Sequence, residues 1–136
     1  MTDTTIRWKW LSAMYIYTAV GAGLLGLAML LAPNLVAAYL RMPIQDPVVF
    51  GVVGSAYVAF ASASILGLRF PLRFIPVLML QLIYKSIWLV AVFLPMLISG
   101  TPPAYAWLFA AIFVSYVAGD CIAIPFRHLL AKESTN

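Results

Sequence analysis

Gln81-Leu82-Ile83-Tyr84-Lys85-Ser86-Ile87-Trp88 places an amide, a phenol, an ammonium, a hydroxyl and an indole in one short stretch of otherwise hydrocarbon-like chain. If the stretch belongs to a transmembrane helix, Lys85 lies near its middle. A charge there costs about 3 kcal/mol on insertion scales, and more on an isolated helix in lipid. The reading of the whole chain turns on what offsets that cost.

The surroundings justify the premise. Of the 136 residues, 65% are hydrophobic and only 9% charged, and the mean hydropathy is +1.03. A soluble domain carries roughly 25% charged residues, so this chain has too few to coat a water-exposed surface. Four apolar runs, at about 11–32, 48–68, 74–97 and 104–126, each reach the ~20 residues that a helix needs to cross a ~30 Å core. No strand-like alternation appears, and helices satisfy their own backbone in lipid. The predicted fold is therefore all-α: one domain over 1–136, an integral membrane bundle of four transmembrane helices. The first run is too long for a signal-peptide core.

Prolines and glycines punctuate the connections. Pro33, Pro43 and Pro47 bracket the first, Arg69 to Arg73 with Pro71 form the second, and Gly100 to Pro103 the third. In the first, Leu35, Val36, Tyr39 and Leu40 fall on one face of a short interfacial helix, with Arg41 toward headgroups; an irregular loop is the alternative. Asp46 before Pro47 reads as a helix-start cap. Arg7, Lys9, Arg69, Arg73, Arg127 and Lys132 fall at one end of the spans, against Arg41 at the other. The positive-inside rule then predicts an N-in/C-in protein of the inner membrane. Trp8, Trp10, Tyr105 and Trp107 fit the two aromatic belts.

In the second span Gly51, Ser55, Ala59, Ala63 and Gly67 recur every fourth residue, and Ala19, Ala22, Gly23 and Gly26 offer a partner ridge in the first. Small residues at such spacing let helices approach closely. Packing of these two spans against each other is favoured over self-association into a homo-oligomer.

The offset for Lys85 lies in the fourth span. Gln81 and Lys85 share a face at i, i+4, as do Tyr116 and Asp120. Folding the last two spans back about Gly100 brings Lys85 level with Tyr116, and Gln81 level with Asp120. The expected arrangement is a Lys85–Asp120 ion pair, with Gln81 and Tyr116 satisfying the remaining donors and acceptors. Tyr84 and Trp88 complete the candidate ligand-binding set. Three readings stand side by side: a structural pair that registers the two spans, a lysine that snorkels to headgroups, and a polar pocket for a lipid, a quinone or a membrane partner. An enzyme or redox subunit using Lys85 or Asp120 as acid or base is the alternative function.

Other residues carry weaker signals. Tyr15, Tyr17 and Thr18 either line the pocket or lie at the interface, with the interface favoured; Ser62 and Ser64 are expected to bond back to their own helix, and Cys121 to serve in packing. One cysteine and one histidine, His128, exclude a disulfide within the chain, a bis-histidine haem and the usual zinc sets. Nucleic acid is not an expected partner, and no cofactor or metal is implied.

The layout resembles the small four-span bacterial proteins called DoxX-like. The likeness rests on the glycine-rich first span ending at Pro33, the Arg69-Phe70-Pro71 turn and the Gln81-x-x-Tyr84-Lys85-x-x-Trp88 run. That family includes a quinone-linked oxidoreductase subunit, and the resemblance supplies no catalytic residue that maps onto this chain.

Overall fold

A computed structural model describes residues 6–131; Lys132 lies outside them. Four helices in it are long and apolar enough to cross a membrane. They are α1 (Trp8–Leu31), α3 (Pro47–Arg69), α4 (Ile75–Ser99) and α5 (Ala104–Ala123), with the short α2 (Pro33–Tyr39) and α6 (Phe126–Leu129) between and after them. All four expected spans are present, with ends set by local chemistry. Asp46 accepts from the backbone of Val48 at 3.0 Å and Val49 at 2.9 Å, with Pro47 in the first helical position, so α3 begins as the sequence suggests. The last span stops at Ala123, short of 126, because Pro125 pushes Ile124 to an extended ψ of 122°.

The connection after α1 is the short helix rather than a loop. Its C-terminus closes with Arg41 N–H on the Ala38 carbonyl (3.2 Å) and Met42 N–H on the Ala37 carbonyl (2.8 Å). That double closure is a Schellman motif, and it places Arg41 at φ 54°, where glycine is usual. Of the expected outward face, Leu35 and Tyr39 are exposed, whereas Val36 and Leu40 are half-buried.

The closest packing joins α1 to α3, and α5 lies against both α1 and α4. In the α1–α3 seam, Gly26 sits so close that an added methyl would meet the Gly54 carbonyl oxygen at 2.8 Å and the Val58 nitrogen at 2.9 Å. Only part of the expected ridge on α3 is used. Gly54, Ala61, Ser64 and Gly67 are buried, whereas Ser55 and Ala59 are exposed and Gly51 meets nothing within 4 Å. Steps of four on a straight helix drift by ~40° each, so a row from Gly51 to Gly67 turns through ~160° and cannot face one neighbour throughout. Alternating steps of three and four hold one face instead.

At one end of the bundle the α3–α4 turn is tied down. The Tyr15 hydroxyl, on α1, donates to the Pro71 carbonyl at 2.6 Å. Arg7 reaches the Ile122 carbonyl at 3.2 Å. These bonds hold the chain-terminal ends of α1 and α5 and the 69–75 turn together.

Within α4, residues Leu89–Phe93 wind as a π-helix. Pro95 has no N–H to offer the Ala91 carbonyl, and the backbone loosens just before it. On an α-helix, side chains five apart point ~140° away from each other. The π turn brings Trp88 and Phe93 into a stacked pair with centroids 5.7 Å apart.

The seam predicts a contrast. Gly26→Ala should lower stability in detergent by about 1–3 kcal/mol through overpacking against backbone, while Gly51→Ala should be neutral or slightly stabilising. Thermal melts of the two variants, followed by size exclusion, check this.

Candidate functional site

Gln81 is the centre of the buried polar cluster, one helical turn before Lys85 on α4. Its side-chain oxygen accepts from Thr18 Oγ1 on α1 and from Lys85 Nζ, each at 3.1 Å. Its nitrogen donates to both oxygens of Asp120 on α5, at 3.1 and 2.9 Å. The amide can be oriented only this way, since a flip would turn its NH2 toward an ammonium and its oxygen toward a carboxylate. Both lone pairs of the amide oxygen are then used, and the amide nitrogen donates in a forked bond to the carboxylate. Thr18, Gln81 and Asp120 are fully buried and Lys85 is 2% exposed.

The direct Lys85–Asp120 ion pair expected from the sequence does not form. The amide stands between the charges, with its negative end on the ammonium and its positive end on the carboxylate. The depth matching is as expected, since Gln81 meets Asp120 and Lys85 meets Tyr116. The lysine, however, bonds the amide one turn away on its own helix instead of reaching across to the acid. Its burial also removes the snorkelling reading.

Lys85 Nζ rests over three aromatic faces: Tyr116 at 3.9 Å, Tyr84 at 4.8 Å and Phe113 at 5.5 Å to the ring centroids. Each desolvated cation–π contact contributes on the order of 1–2 kcal/mol. Tyr116 therefore serves through its ring, not through its hydroxyl as expected. The hydroxyl passes over Gly21 and donates to the Tyr17 carbonyl at 3.0 Å.

Several expectations for lesser residues are corrected. Tyr15 and Thr18 are fully buried rather than interfacial. Thr18 takes the less favoured of its two expected places, joining the polar cluster through Gln81; it lies four before Ala22 and eight before Gly26, on the ridge already singled out. Tyr17 is partly exposed and shares a 2.7 Å hydrogen bond with Ser115. Ser62 bonds back to the Val58 carbonyl, whereas buried Ser64 has no partner among the described residues. Cys121 is exposed.

Tyr84 and Trp88 belong to a different feature, a cavity of about 640 Å³ between α3 and α4 with α5 behind it. Tyr57 and Phe60 come from α3, Tyr84 and Trp88 from α4, Phe109 and Phe113 from α5, and among the described residues no acidic or basic one lines it. Tyr105, expected in an interfacial belt, is also one of its walls. Trp88 meets Phe113 edge-on at 5.1 Å, and Tyr84 meets Phe60 at 5.4 Å. Among the described residues, no protein group bonds the Tyr57 or Tyr84 hydroxyl or the Trp88 indole N–H. Neither Lys85 nor Asp120 lines this space. The candidate residues therefore divide. Gln81, Lys85, Asp120 and Tyr116 form a sealed polar core, and Tyr84 and Phe113 are the wall it shares with the cavity.

In comparison with known proteins, no family model, curated protein or solved structure matches the chain.

The relay predicts an order of stabilities. Gln81→Leu leaves two buried charges unpaired and should cost about 3–5 kcal/mol. The double variant Lys85→Met/Asp120→Leu removes both charges and strands only the amide N–H groups, a loss of about 1–3 kcal/mol. The double variant should therefore melt above Gln81→Leu and above either of its own single variants.

Proposed function

We propose that this protein is a multi-pass inner-membrane protein that binds a lipid-soluble amphiphile with a ring or compact polar head, of which a quinone is one kind. The head sits among Tyr57, Tyr84, Trp88 and Phe113, and the tail extends along the apolar walls toward the bilayer. The observation that carries this reading is the cavity itself. It is the size of a small-molecule site, it is almost wholly apolar, and its phenol and indole groups have no protein partner among the described residues. The layout shared with the DoxX-like proteins, which include a quinone-linked subunit, agrees with it. The basic residues at the chain-terminal end support an N-in/C-in orientation, which puts the polar core in the cytoplasmic half.

Binding is favoured over acid–base catalysis because the two candidate proton-carrying groups are absent from the cavity walls. Both are held in a network that leaves little for a substrate to reach.

The test uses the whole protein in nanodiscs with a short-tailed benzoquinone as probe. Quinone binding should quench the fluorescence of Trp88, and Trp88→Phe should remove that part of the signal. Ala56→Trp fills the cavity from an exposed wall position and should weaken binding at least about tenfold while leaving the melting temperature unchanged. Quenching that is insensitive to Ala56→Trp would overturn the proposal.

A further inference from the structure

We infer that the buried relay selects the head group of the cavity's occupant: it favours an amphiphile whose head presents an oxygen acceptor, a carbonyl or a carboxylate, and disfavours a cationic head. The inference rests on the binding reading above and deepens it.

An aromatic cavity left to itself prefers cations, because ring faces carry negative potential. Here two of the walls are already engaged. The Lys85 ammonium lies over the rings of Tyr84 and Phe113, which both line the cavity. A positive charge against a ring opposes the attraction which that ring would offer to a second cation. The compensating carboxylate is remote. Asp120 follows Phe113 by seven residues on α5, a rise of ~10 Å, and both its oxygens are taken by Gln81. The sequence of groups is thus carboxylate, amide, ammonium, aromatic wall, cavity, with the positive end of the array nearest the occupant. With few polar groups on the cavity walls, little screens it. Among the described residues no acidic side chain lines the cavity to receive a cationic head; its walls offer an indole N–H, which only donates, and phenol hydroxyls, which can donate to an acceptor.

The prediction is a preference whose sign depends on Lys85. Displacement of the short-tailed benzoquinone is measured in nanodiscs with dodecanoate and with dodecyltrimethylammonium, which share a tail and differ in head. The carboxylate should displace at a concentration at least about tenfold lower than the ammonium compound. In Lys85→Met/Asp120→Asn, which keeps the site neutral, the preference should vanish or reverse toward the cation. The relative affinities of the quinone and dodecanoate then distinguish a carbonyl occupant from a lipid carboxylate. Equal displacement by the two heads, or an unchanged preference in the double variant, would overturn the inference. The variant's melting profile confirms that it is folded, and Lys85→Arg, which keeps the charge, should retain the preference. If Ala56→Trp abolishes quinone binding yet heads are not distinguished, only the relay's influence fails. If Ala56→Trp has no effect, the cavity reading fails as well.

Discussion

One primary amide reconciles this bundle with its most expensive residues. A lysine and an aspartate held apart in lipid would each need solvation that the bilayer does not provide. Gln81 provides it to both at once, accepting from Lys85 and donating to both oxygens of Asp120. Thr18 fills the last site on the amide oxygen and so ties in the first span. Three helices are locked in depth and rotation by six hydrogen-bonding atoms. Buried ion pairs seldom add net stability. What the network adds here is register, since sliding any one of these helices by a turn would leave a charge unsolvated.

The lock also shapes the space beside it. Because Lys85 is enclosed by rings rather than by water, two of those rings carry its influence into a cavity that contains no formal charge of its own. The rest of the cavity follows from helix geometry. At the end where Tyr15 holds the Pro71 carbonyl, α3 and α4 are joined by a short turn; farther along, the space between them is walled by α5 aromatics. The buried polar network and the apolar cavity are thus neighbours that share a wall of aromatic rings.

Much of this was readable from residue order. Run lengths and prolines located the spans, the Asp46-Pro47 pair located a helix start, and reflection about Gly100 located the depth at which Gln81 meets Asp120. What escaped were choices made by three-dimensional competition. Whether a lysine bonds an acid across the interface or an amide on its own helix depends on side-chain reach, which spacing does not encode. Thr18 was assigned to the interface ahead of the pocket because a lone threonine in an apolar span has many uses. The cavity was invisible because Tyr57, Phe60 and Phe109 read as ordinary hydrophobic residues until their helices were placed. The ridge from Gly51 to Gly67 failed for a simpler reason, the angular drift of every fourth residue.

The wide turn at Leu89–Phe93 has a further consequence. It takes up one residue without adding a full rung, so everything beyond it on α4 is rotated by about 100° from where an uninterrupted helix would put it. The two halves of α4 are thereby decoupled in phase. The half with Gln81 and Lys85 is committed to the polar core, while the half beyond the turn presents Met96 to the cavity. One helix thereby serves two faces of the bundle that a continuous α-helical phase would not align.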